Sequence, residues 1–220
     1  MFTLIQKTIR RIVLLFFGST TLAVLIYKWC PVYVTPLMLI RCAQQVWHGE
    51  TFRLKHHWVP LDSMSIYMPV AVMASEDQRF LEINNAIEER RSGKRIRGGS
   101  TISQQTAKNV FLWPNSSWVR KGLEAYFTVL IELVWGKERI MEVYLNSIEM
   151  GNGIYGAEAA ANQHFGRKAT TLTRPNCALI AATLPNPLKY NAKEPSSYIL
   201  KRQTAIMVQM RHIDVFPRKK

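Results

Sequence analysis

Three short stretches of this chain hold residues whose types and spacing could do chemistry. In Ser75-Glu76-Asp77-Gln78-Arg79-Phe80, two adjacent carboxylates close an apolar helical run. At a helix C-terminus the backbone dipole and a neighbouring like charge both disfavour an ionised carboxylate, a setting that suits a general base. An acidic pair is also a common solvated surface feature, so this stretch alone names no reaction.

The second stretch is Arg97-Gly98-Gly99-Ser100-Thr101-Ile102-Ser103-Gln104-Gln105-Thr106-Ala107-Lys108-Asn109, preceded by Arg90, Arg91, Lys94 and Arg95. A Gly-Gly turn lets backbone approach a ligand closely. Hydroxyls and amides can bond sugar hydroxyls or phosphate oxygens, and Lys108 offers a point charge. GxxxxGK[ST] is absent, so this is not a P-loop. A polar loop ending in a helix cap would share the composition. The third stretch is Arg120-Lys121-Gly122-Leu123-Glu124, where Glu124 follows Arg120 by one helical turn and lies off the apolar stripe. Its alternatives are a charged site and an i,i+4 surface pair.

Helices must carry these residues. Pro69 followed by VAVMASEDQRFL reads as a helix with proline near its first position. After Ser116 and Ser117, either of which could cap, Val119, Leu123, Tyr126, Phe127, Leu130, Ile131 and Val134 form a 3.6-residue stripe. Lys137–Asn146 and Ala157–Ala161 continue in the same manner, while strand signals are few, with no Asn-Gly hairpin between alternating runs. A mainly α domain follows.

Length and charge narrow the setting. The 220 residues suit one domain with a short appendage, and a formal charge of +14 implies anionic partners: nucleic acid, acidic lipid or a pyrophosphate. The N-terminus selects the membrane. Lys7, Arg10 and Arg11 precede the uncharged run from Ile12 to Tyr27, which Lys28 and Trp29 close. The run reads as a retained span with a cytoplasmic N-terminus, since no A-x-A-like cleavage site follows it. The expected organisation is a short cytoplasmic tail at 1–11, an anchor at 12–28, an interfacial segment at 29–45 interrupted by Pro36, and the domain at 46–220. Three cysteines, Cys30, Cys42 and Cys177, have no CxxC spacing and support neither a disulfide framework nor a zinc site.

Singly, none of the three stretches names an enzyme; their order does. The chain resembles the peptidoglycan glycosyltransferase family, which includes the N-terminal domains of bifunctional penicillin-binding proteins. Glu76-Asp77 through Phe80 looks like its first motif, Gly98–Asn109 like GxSTxxQQxxKN, and Arg120–Glu124 like RKxxE. Lys137–Asn146 is similar to KxxILxxYLN, and the resemblance runs from about Pro60 to Met207, with Arg202 to Met207 as a loose last motif. SxxK and KTG are absent, so the closer resemblance is to monofunctional biosynthetic transglycosylases.

The resemblance implies a lysozyme-like, mainly α fold behind a single transmembrane helix. It implies that lipid II is polymerised onto a growing glycan chain, with inversion and release of polyprenyl pyrophosphate. Glu76 would be the base and Glu124 the second carboxylate. Ser100, Thr101, Gln104, Gln105 and Asn109 would hold sugar or phosphate, with Lys108, Arg120 and Lys121 around the leaving group. No metal ligand set is expected and no cofactor is required, although Mg could share the pyrophosphate charge. The implied setting is the bacterial inner membrane with a periplasmic domain, cell-wall synthesis or division proteins as partners, and no nucleic acid.

One departure stands out. The family motif continues past the phenylalanine with HxG, whereas Phe80 is followed here by Leu81-Glu82-Ile83-Asn84-Asn85-Ala86-Ile87. This keeps two other readings open: an inactive membrane scaffold for wall synthesis, and a lytic transglycosylase.

Overall fold

Helix α1 spans Phe2–Tyr27, and its stretch Ile5–Tyr27 is 23 residues long with a mean hydropathy of 1.8 and 6 % of its most apolar window buried. At 1.5 Å per residue it is long and apolar enough to cross a bilayer core. The helix starts ahead of the uncharged run because lysine and arginine are good helix formers and do not interrupt it. The computed structural model describes residues 2–78, 80–81, 101–115 and 117–217. The segment after Leu81, including the place where HxG would stand and Ser100, lies outside the described residues, as do Arg79 and Ser116.

The base of α1 is tied to the rest of the chain. Thr20 Oγ1 and the Tyr126 hydroxyl share a hydrogen bond of 2.9 Å, Phe17 meets the Tyr126 ring edge-on, and Trp135 Nε1 donates to the Val24 carbonyl at 2.7 Å. Arg139 donates to the Tyr27 carbonyl, which the end of α1 leaves open, and to the Cys30 carbonyl just beyond it.

Helix α2, Pro36–Trp47, corrects the expected interruption at Pro36. Thr35 caps it by accepting from the Met38 N–H, and proline at the first turn loses no intrahelical bond, so Pro36 starts the helix. Leu37 and Met38 pack on Tyr155, which joins this segment to the domain ahead of residue 46.

The domain is built on α3 (Tyr67–Glu76), α4 (Ile102–Phe111), α5 (Trp118–Val134), α6 (Gly136–Ser147), α7 (Ala157–Phe165), α8 (Arg174–Thr183) and α9 (Ser197–Gln209). Helix α3 is apolar nearly all round and α8 is so from Cys177 onward, so both must lie at the centre, whereas α6 begins with the charged turn Lys137-Glu138-Arg139 and turns its apolar residues inward. Val70–Ala74, Ile140, Met141, Val143–Leu145 and Cys177–Ala182 are buried accordingly. Helix α3 packs on α8 and α9, and α4 lies across α5 and α6. The cysteines are free; burial pushes the Cys177 thiol up to about 12.

A small sheet of order β1-β3-β2 joins Lys55–His56 (β1), Glu149–Gly151 (β2) and Ile154–Tyr155 (β3); β1 runs parallel to β3 and β2 antiparallel to it. Asn152-Gly153 makes the turn, so an Asn-Gly hairpin is present after all, on strands of two and three residues that are too short to show alternation. Gly153 sits at φ +69°, and a Cβ there would fall 2.4 Å from the Arg53 carbonyl oxygen.

Candidate active site

Glu76 is the last residue of α3, and the Asp77 N–H closes the helix on the Met73 carbonyl. The two carboxylates then diverge. Asp77 Oδ2 accepts from the Ile102 N–H at 3.2 Å, at the first turn of α4, where an anion is favoured. Glu76 remains half-buried with both oxygens engaged. Ser75 Oγ donates to Oε1 at 3.0 Å and Gln105 Nε2 to Oε2 at 3.0 Å. Behind Gln105, the buried Tyr144 hydroxyl donates to its Oε1 at 3.3 Å. Burial and the charges of Glu76 and Asp77 push that phenol well above the usual tyrosine range.

Helix α4 brings the second stretch together by a local device. Thr101 Oγ1 accepts from the Gln104 N–H at 3.2 Å while Gln104 Oε1 accepts from the Thr101 N–H at 3.1 Å, a capping box. These two side chains are used at the helix start. Gln105, Lys108 and Asn109 lie further along α4 on the wall of a cleft of about 330 Å³.

Ser117 caps α5 by accepting from the Arg120 N–H at 3.1 Å. The third stretch is then no surface pair. Arg120 and Glu124 are 5 % and 3 % exposed, and Arg120 NH1 donates to Glu124 Oε2 at 2.9 Å. Lys121 Nζ, at the rim, donates to Glu124 Oε1 at 2.8 Å. The inward face of α5 runs Arg120, Glu124, Phe127, Ile131, whereas Val119 points out at 70 % exposure. The apolar stripe is thus rotated, and its first turn is filled by the ion pair.

Lys108 lies in the field of both carboxylates. Burial lowers its pKa below the usual lysine range and Arg120 and Lys121 lower it further, while Glu124 and Glu76 oppose the shift. Lys108, Arg120 and Lys121 therefore form a cationic group whose lysine is held partly out of water, where an anionic ligand would be most strongly favoured.

The far wall of the cleft comes from residues outside the three stretches. Arg41 of α2, Glu149 of β2 and the turn Leu184–Leu188 line it. Arg41 Nε stands 3.5 Å from Glu149 Oε2, and the Tyr155 hydroxyl donates to Glu149 Oε1 at 3.3 Å. Burial raises the Glu149 pKa against the opposing pull of Arg41. Pro185-Asn186-Pro187 is a rigid-turn signal in the sequence, but nothing local says that it faces Lys108. Among the described residues no three His, Cys, Asp or Glu side chains cluster as a metal cage.

The chain is similar to known proteins over most of its length. Residues 44–211 match the transglycosylase family model. A biosynthetic peptidoglycan transglycosylase of Bacteroides thetaiotaomicron is 57 % identical over 221 residues, covering 97 % of this chain and 89 % of the relative. Those of Bdellovibrio bacteriovorus and Caulobacter vibrioides are each 49 % identical, covering 92 % of this chain and 84 % and 91 % of theirs. With the family model spanning most of the chain, and with relatives matched over most of their own length, this chain belongs to the transglycosylase family.

Proposed function

We propose that this chain is a peptidoglycan glycosyltransferase that joins lipid-linked disaccharide-peptide units into glycan strands. The observation that carries the reading is that two unlike carboxylates, Glu76 and Glu124, both act on Lys108 of α4. Glu76 is held by neutral donors, and Glu124 is locked among cations.

In the proposed reaction the 4-hydroxyl of one sugar attacks the anomeric carbon of the growing chain from the face opposite the leaving group. The new C–O bond forms as the bond to the polyprenyl pyrophosphate breaks, and the configuration inverts. Glu76 accepts the hydroxyl proton, and Ser75 and Gln105 fix the direction of its lone pairs. Lys108, Arg120 and Lys121 take up the negative charge that develops on the pyrophosphate, with Glu124 holding Arg120 and Lys121 in place. Gln105 and Asn109, with Ser100, would bond sugar or phosphate. Thr101 and Gln104 contribute chiefly by starting α4. A divalent ion such as Mg, if used, would be held mainly by the pyrophosphate, since cations occupy this wall.

The membrane supplies the substrate in this reading. Helix α1 is the anchor, and α5, which packs against it, turns Trp118, Val129 and Leu133 outward at 93 %, 55 % and 78 % exposure. A face of that kind suits lipid contact. The basic surface fits anionic headgroups better than nucleic acid, with the domain on the periplasmic side of the inner membrane.

The test is polymerisation of purified lipid-linked disaccharide-pentapeptide in detergent by the parent and its Glu76→Gln variant, following glycan length and pyrophosphate-lipid release. Long glycan from the parent alone supports the reading. Cleavage of isolated cell wall without use of the lipid substrate would replace it with the lytic activity, and inactivity of both proteins would replace it with the scaffold.

A further inference from the structure

Ser75, which orients Glu76 in the reading above, also touches groups from two distant helices. Its hydroxyl has one proton and two acceptors within reach, Glu76 Oε1 at 3.0 Å and the Ala181 carbonyl of α8 at 3.2 Å. Its oxygen also accepts a hydrogen bond from Arg202 NH2 of α9 at 3.2 Å. One proton can serve one acceptor at a time.

We propose that Ser75 is a positioning residue for Glu76: a hydroxyl rotor that follows the protonation state of the carboxylate and relays the charge of Arg202 to it. The proposal rests on the reading of Glu76 as the base. While Glu76 is ionised, Ser75 donates to Oε1 and its own oxygen is polarised by the guanidinium behind it. Once Glu76 has taken the sugar proton, the serine proton turns to the Ala181 carbonyl. The oxygen then accepts from the new carboxylic acid while still accepting from Arg202. A hydroxyl that donates once and accepts twice is within its capacity. Both protonation states keep their hydrogen bonds, and only a hydrogen atom moves, so the heavy atoms around the base need no rearrangement during turnover.

The acceptor side is prepared as well. The Ala181 carbonyl lies in the last turn of α8, where its helical partner is the Leu184 N–H at 3.3 Å, and a carbonyl has a second lone pair to offer. Other charged or titratable groups facing Glu76 are Asp77 at the same helix end, Lys108 from α4 and Tyr144 from α6. Tyr144, with its raised pKa, stays neutral through the working range, and burial lowers the pKa of Lys108 from the usual lysine range. A carboxylate base takes up its proton on the acid limb of the rate, which is where a change at Ser75 should appear.

The rival is a purely structural tie, in which Ser75 only pins α3 to α8 and α9. The full chain in detergent separates the two, with kcat and KM for the lipid-linked disaccharide-pentapeptide measured across pH. For Ser75→Ala we expect kcat near neutral pH to fall about tenfold with KM within about twofold, and the acid limb of kcat to move up by roughly half to one pH unit, because an ionised base has lost a donor. Ser75→Thr should restore both. Arg202→Gln should shift the limb the same way by less, and it carries the test should Ser75→Ala not fold. A lower kcat with an unmoved acid limb, or a Ser75→Ala protein that behaves as the parent, overturns the relay. Glu76→Gln in the same assay keeps the two ideas apart: if it retains activity the base reading fails, whereas an inactive Glu76→Gln beside an unshifted Ser75→Ala removes the relay alone.

Discussion

Two carboxylates one helix apart are treated in opposite ways by this fold. Glu76 ends α3 half-exposed, its oxygens held by Ser75 and Gln105, both uncharged. Glu124 is buried in the first turns of α5, its oxygens held by Arg120 and Lys121. Neutral donors orient a carboxylate without cancelling its charge, so it can still take a proton. Two cations at 2.9 and 2.8 Å hold both oxygens of the other carboxylate in charge-assisted hydrogen bonds. The same functional group thus becomes a base in one place and an organiser of positive charge in the other.

The sharpest way to break this comparison is to neutralise each carboxylate. Glu76→Gln should lower glycan polymerisation by about 10²–10⁴-fold, the usual worth of a general base, while the melting temperature stays close to the parent's. Loss of more than a few degrees would show that Glu76 is structural. Glu124→Gln should do both kinds of damage. It strands Arg120, and removing one partner of a buried pair costs about 3–5 kcal/mol, which denaturant unfolding in detergent would register together with lost activity. If Glu124→Gln were as stable as the parent, the buried pair would not be holding the cations.

Lys108 sharpens the comparison further, since it feels both carboxylates. Its pKa is lowered, chiefly by burial, so its positive charge is present at low pH and lost earlier than a free lysine's as pH rises. The alkaline limb of kcat/KM should then fall early, and Lys108→Arg, whose guanidinium stays charged, should move that limb upward. An unmoved limb would place the lysine away from the substrate charge. The smallest effect is expected at Thr101, whose capping box starts the helix between the two carboxylates. Thr101→Ala should cost about 1 kcal/mol of stability, with Thr101→Ser recovering most of it. Activity loss far exceeding that cost would mean that the Thr101 hydroxyl touches substrate as well.

Much of the framework is legible along the chain because it depends on neighbours in sequence. The apolar stripe of α5, the cap at Ser117 and the run Lys137–Asn146 are local patterns, and the helices follow them within a residue or two. Pro36 and Asn152-Gly153 were harder to read for the same reason. A proline starts or breaks a helix according to whether its first turn is capped, and a two-residue strand has too few positions to alternate.

The site divides along the same line. The order of Glu76, Gln105, Lys108, Arg120 and Glu124 and the family they mark are properties of the sequence alone. Tertiary packing decided that Arg120–Glu124 is a buried pair and not a surface one, because rotating α5 by part of a turn exchanges Val119 for Arg120 on the inner face. It also decided that Arg41, Glu149 and the turn at Pro185-Asn186-Pro187 face Lys108, and that Ser75 meets Ala181 and Arg202 more than a hundred residues away. Periodicity and caps are written in residues a few positions apart, whereas what a side chain touches across the core is set only when helices from distant parts of the chain close around it.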